Sequence, residues 1–151
     1  MRFSSTLRGA RLARLLAVQH LAEHGTPPAG DLSRAVATVL AEFAANAITH
    51  GRTPGRDFEV GLHLAPDLTH VRVEVTDTRP DRFPRTPADS KHGLPTPPPP
   101  YTTSGRGLLL VAATADRWDW FVRDNCTKTV WAELTRSPQP HSPNNSNQLV
   151  N

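Results

Sequence analysis

The chain has 151 residues, 17 Lys and Arg against 14 Asp and Glu, and a formal net charge of +3. That length suits one folded domain with a real core, no apolar run approaches the ~20 residues that span a bilayer, and Cys126, the only cysteine, excludes a disulfide framework or a thiolate metal cluster. A pI near 9.7 raises nucleic acid as a partner, but Arg2, Arg8, Arg11 and Arg14 are neither interleaved with aromatics nor part of a reader motif, so solvated helix faces account for the charge.

Leu7, Ala10, Leu12, Leu15, Leu16, Val18, Leu21 and Ala22 recur near a 3.6-residue period and predict a helix over 6–24. The stretch is Arg-rich and begins without acids, like a targeting peptide, yet Gln19, His20, Glu23 and His24 interrupt it and no small-residue cleavage site follows. Gly25-Thr26-Pro27-Pro28 ends that helix, and Asp31 begins a second as its N-cap or first-turn acid. Leu32, Val36, Val39, Leu40, Phe43, Ala47 and Ile48 form its buried face, and Gly51 closes it as a C′ residue.

Beyond Arg52-Thr53-Pro54-Gly55 the period drops to 2. Phe58, Val60, Leu62 and Leu64 predict a half-buried strand, and Val71, Val73 and Val75, stopping at Asp77, predict its hairpin partner. Residues 78–104 carry Pro80, Pro84, Pro87, Pro95 and Pro97 to Pro100, which leave no room for a helix or a central strand. A loop of that length between two structured halves reads as a lid, with an SH3-type ligand as the alternative. A helix opened by Gly105-Arg106-Gly107 follows, then strands over 117–122, bearing Trp118 and Trp120, and 129–134, separated by a turn at Asp124-Asn125. Residues 137–151 are too polar to fold and form a tail, so the domain spans 1–136. This order predicts an α+β two-layer sandwich, with helices on one face of a mainly antiparallel mixed sheet.

Glu42, Asn46 and His50 recur every four residues, so the second helix stacks a carboxylate, a neutral amide and an imidazole along one face. This set suits a bound metal–phosphate group; the alternative is the wet side of an amphipathic helix. Asp77 at a strand end and the Gly105-Arg106-Gly107 opening join it as separate segments of one constellation. Walker A is absent, and the glycines do not follow a strand as a Rossmann fingerprint would.

The strings Ala41-Glu42-Phe43-Ala44-Ala45-Asn46-Ala47, Val73-Glu74-Val75-Thr76-Asp77, Gly105-Arg106-Gly107-Leu108-Leu109-Leu110-Val111 and Lys128-Thr129-Val130-Trp131-Ala132-Glu133-Leu134, in that order, resemble the ATP-binding (Bergerat) domain of the GHKL superfamily. Within it the chain is most similar to stand-alone anti-sigma-factor serine kinases of the SpoIIAB and RsbW kind. The resemblance implies a histidine-kinase-like ATPase fold, ATP and Mg²⁺ as cofactors, Asn46 as the metal ligand and Glu42 as the general base. It further implies that Asp77 accepts the adenine amino hydrogen, and that Gly105, Arg106, Gly107 and Leu108 meet the phosphates at a helix N-terminus. Thr129 would lie near the adenine, and His50 would line the pocket in a stacking or a structural role. Expected partners are a sigma factor and its antagonist protein, with a homodimer by analogy, no nucleic acid, no membrane and a cytoplasmic location.

The family's usual Asp-x-Gly-x-Gly is Asp77-Thr78-Arg79-Pro80 here, so the backbone beside the base and the hinge of the lid should differ. The competing expectation is a binding module without chemistry, presenting the first helix and an exposed Trp118/Trp120 strand to a protein partner.

Overall fold

The computed structural model describes residues 1–51, 53–67, 69–81 and 106–135, of Arg106 the backbone only. Gly105, the Pro-rich segment from residue 82 onward and the tail lie outside the described residues. In chain order the elements are β1 (Arg2–Phe3), α1 (Leu7–Glu23), α2 (Asp31–Thr49), β2 (Phe58–Leu64), β3 (His70–Asp77), α3 (Arg106–Thr114), β4 (Arg117–Asp124) and β5 (Thr127–Thr135).

The strands form one sheet in the order β1-β2-β3-β5-β4, and each pairing is antiparallel, so the expected admixture of parallel strands is not found among the described residues. The α+β two-layer sandwich itself is present. β1 was not expected: two residues, Arg2 and Phe3, pair with Glu59 and Phe58. They are too few to show a period, and what recruits them is Phe3, stacked on Phe58 at 5.8 Å between ring centroids.

Local chemistry explains the helix ends. Thr6 caps α1 by accepting the Gly9 amide at 3.1 Å. At its other end the Gly25 and Thr26 amides return to the carbonyls of Ala22 and Leu21, which satisfies the last turn. Asp31 lies in the first turn of α2 behind an N-cap at Gly30, where its charge opposes the positive end of the helix dipole. α2 is the central helix: it packs on β3 and β5 and contacts both α1 and α3.

Strand alternation divides the sheet into two unlike faces. Val71, Val73 and Val75 of β3 and Val130, Ala132 and Leu134 of β5 are buried beneath α2, with Val36, Val39, Leu40 and Phe43 above them. The far face is polar. There Arg72 is held by Glu74 at 2.7 Å and Glu133 at 3.1 Å and lies 4.0 Å over the Trp131 ring.

One expected surface is not there. Trp118 and Trp120 pair with Ala132 and Val130, which puts both indoles in phase with the apolar positions of β5, half-buried against the core. The exposed apolar side chains of β4 are Phe121 and Val122.

Leu40 is fully buried where α2 meets the sheet. Leu40→Ala should cost about 2–5 kcal/mol of unfolding free energy, read from a lower urea midpoint at unchanged slope.

Candidate functional site

α2 carries the site along its margin. Glu42 and Asn46 are half-buried and His50 is exposed, because their shared face borders the apolar stripe of Val39, Phe43 and Ala47. The helix finishes on Asn46, whose carbonyl accepts the His50 amide at 2.8 Å and the Gly51 amide at 3.2 Å.

Two glycines bring other elements against this margin. At Gly107, in the first described turn of α3, an added Cβ would overlap the Glu42 carboxylate. The absence of a side chain therefore lets Glu42 reach the backbone of α3, near the helix end where anions are favoured. Leu108 turns to the core instead, beside buried Val111, while Leu109 and Leu110 stay exposed. At Gly51 an added Cβ would overlap Cγ and Oδ2 of Asp77. Gly51 is thus required by close approach, and not by the left-handed C′ conformation expected of it, since positive φ occurs among the described glycines only at Gly25 and Gly55.

Asp77 ends β3 on the helix side of the sheet and is only 6% exposed. Its Oδ1 accepts the Lys128 ammonium at 2.7 Å and the Arg79 amide at 3.0 Å. Lys128 stands directly opposite on β5, is 3% exposed, and donates also to the Arg79 carbonyl at 2.7 Å. An unpaired charge in such surroundings is strongly unfavourable, and the pair satisfies both members. Thr78 ties the turn to the helix end: its hydroxyl donates to the Gly51 carbonyl at 3.3 Å, and its own carbonyl accepts from Thr53 at 3.2 Å.

The expected residues separate into two groups. α2 brings Glu42, Asn46 and His50 into line, with Gly107 beside the first of them and Asp77 beside Gly51. Thr129 does not join them. It alternates with Lys128 and Val130, so it faces the opposite side of the sheet, where its hydroxyl lies 2.7 Å from that of Thr76. Gly105 lies outside the described residues, as does the side chain of Arg106. Lys128 was given no role from sequence, although alternation with Val130, Ala132 and Leu134 placed an ionisable group on the buried face of the strand. A cleft of about 340 Å³ lined by Arg2, Arg56, Glu59, Thr76, Thr78 and Thr127 lies apart from Glu42 and Gly107.

Comparison with known families decides what this arrangement belongs to. The family model for the histidine kinase-like ATPase domain matches residues 3–133. The chain belongs to that family. No curated protein matches it. As a histidine kinase-like ATPase domain it is an ATP-binding fold, and its matched span includes α2, the end of β3, the start of α3 and β5, the elements that carry the geometry above. No described helix is long and apolar enough to cross a membrane.

Gly51→Ala sets a methyl group against Cβ, Cγ and Oδ2 of Asp77, a side chain held in place by Lys128 and the Arg79 amide. Overpacking of that kind costs about 1–3 kcal/mol, so the variant should melt several degrees lower, and its loss of ATP affinity should exceed that of Gly55→Ala at an open turn.

Proposed function

We propose that this domain is an Mg²⁺·ATP-dependent regulatory kinase that phosphorylates a Ser or Thr of a small antagonist protein and sequesters a sigma factor in alternation. The observation that carries the proposal is the double engagement of α2: its Glu42 meets Gly107 and its far end meets Asp77. From Glu42 to its end at Thr49 the helix rises about 10 Å, with Gly51 just beyond, a span suited to a nucleotide with its base at Asp77 and its phosphates at Gly107.

The donor set fits a hard cation. Asn46 offers one neutral amide oxygen beside a carboxylate one turn away, and Mg²⁺ takes the rest of its octahedron from phosphates and water. The ion, when bound, neutralises charge on the phosphates. Glu42 takes the proton of the attacking hydroxyl as general base. Gly105, Arg106, Gly107 and Leu108 supply the helix-terminal contacts to phosphate, and Asp77 accepts the 6-amino hydrogen of adenine. His50 borders the pocket from the exposed end of the same face. Thr129 holds Thr76 from the far face of the sheet, behind the strand end that carries Asp77. The reading includes a cytoplasmic location and a homodimer.

Titration with ATP, with and without Mg²⁺, tests this reading by thermal shift. A micromolar complex at ~1,000-fold excess adds roughly 4 kcal/mol of stability. Asn46→Ala should abolish the magnesium-dependent part, and an unchanged melting temperature in millimolar ATP would overturn the proposal. Glu42→Ala separates binding from chemistry: nucleotide affinity should stay within a few-fold, while phosphotransfer should fall by roughly 10²–10⁴.

A second reading, a non-catalytic protein-binding module, draws on α1, where Leu7, Leu12 and Leu15 are exposed beside Arg8, Arg11 and Arg14. It requires that Glu42→Ala leave function in cells intact.

A further inference from the structure

Lys128 has no part in the chemistry above, yet it is the most deeply placed cation in the described site. Its ammonium is shared between Asp77 Oδ1 and the Arg79 carbonyl, both at 2.7 Å. Because the Arg79 amide donates to the same carboxylate oxygen at 3.0 Å, the two oxygens of Asp77 are not equivalent. Oδ1 holds two donors, whereas Oδ2 faces Gly51 and accepts no hydrogen bond from the described residues. Turning the carboxylate about its Cβ–Cγ bond would break both bonds to Oδ1 at once.

We infer that Lys128 is a positioning residue for base selection: it fixes Asp77 with Oδ2 as the single acceptor that meets the purine. The inference rests on the reading that Asp77 receives the base. A pinned, ionised oxygen accepts from a 6-amino group and repels the carbonyl of a 6-oxopurine. A carboxylate without its cation stays an acceptor but can rotate. Turned, its oxygens leave the 6-amino hydrogen and can reach the N1–H donor that a 6-oxopurine carries, so the preference for the 6-amino base falls. The ion pair therefore does more than offset a buried charge, since it also decides where the pocket presents its acceptor.

The Arg79-Pro80 turn completes the arrangement. Where the wider family usually has glycine, Arg79 contributes an amide to Asp77 and a carbonyl to Lys128. Three backbone and side-chain groups thus close one ring around Oδ1.

The test is displacement of a fluorescent ATP analogue from the full chain by ATP and by inosine triphosphate, which carries a 6-oxo in place of the 6-amino group. Wild type should prefer ATP by roughly tenfold or more, the scale of one hydrogen bond to a charged group. Lys128→Met should erase most of that preference, and Lys128→Arg should restore most of it. If Lys128→Met does not fold, Lys128→Gln gives the same readout, because it keeps an N–H donor and loses the charge; an intermediate preference is expected. A folded Lys128 variant with lower melting temperature and the wild-type ATP-to-inosine triphosphate ratio would reduce Lys128 to a purely structural role and overturn the inference. Wild type that binds ATP with no preference would overturn it too. Failure of wild type to bind either nucleotide would remove the ATP-binding reading itself, a result distinguishable from both.

Discussion

A helix laid across a sheet can carry polar groups only along its margins, and α2 is held so tightly that its margins become a ruler. Val36, Val39, Leu40 and Phe43 are buried against β3 and β5, which fixes both its rotation and its height above the sheet. Close packing makes such a position hard to change by small steps. The two glycine contacts follow from it: with α2 in place, Asp77 meets residue 51, where a side chain would strike a pinned carboxylate, and Glu42 meets residue 107 through the end of its carboxylate. The separation of the two ends of the site is therefore a property of the core.

The Asp77–Lys128 pair is the other fixed point, of a different kind. Two ions nearly out of water are expensive to bury, and their attraction offsets that cost only when further hydrogen bonds complete the geometry. The Arg79 amide and carbonyl supply those bonds. A pair of this sort adds little net stability compared with two apolar residues, but losing either partner from this arrangement is costly, because the other charge is left buried and alone. Here that arrangement joins the end of β3, the start of β5 and the turn at Thr78-Arg79-Pro80, directly beneath the end of α2. The departure from a glycine-rich turn is thus compensated locally. The turn gains a fixed conformation from a cation on the neighbouring strand.

The two faces of the sheet share the same strands and have unrelated chemistry. The helix face is apolar except for Asp77 and Lys128, and the far face is an ion-pair and aromatic lattice built on Arg72, Trp131 and Glu133. Much of that far face is accessible, so its pairs are weak individually and act mainly through their number and the stacking of Arg72. Side-chain parity assigns each residue to one of these worlds. That is why Thr129 and Lys128, adjacent in the chain, serve different ends.

Periodicity in the chain was enough to determine the long helices, the β2–β3 hairpin, the two-layer class and the Glu42/Asn46/His50 line, because repeats of 3.6 and 2 are local properties that any window of residues displays. It also made Asp77 and Gly107 legible as parts of one constellation through their order. It did not reveal β1, whose two residues are recruited by Phe58 from more than fifty positions away, and it left Trp118 and Trp120 on the wrong side, since their strand gives no sign of which face it will bury. The pairing of Lys128 with Asp77, and the need for glycine at position 51, were decided by the tertiary structure alone. Both depend on the register of strands and the seating of a helix, which are set by distant contacts and leave no mark in the neighbouring sequence.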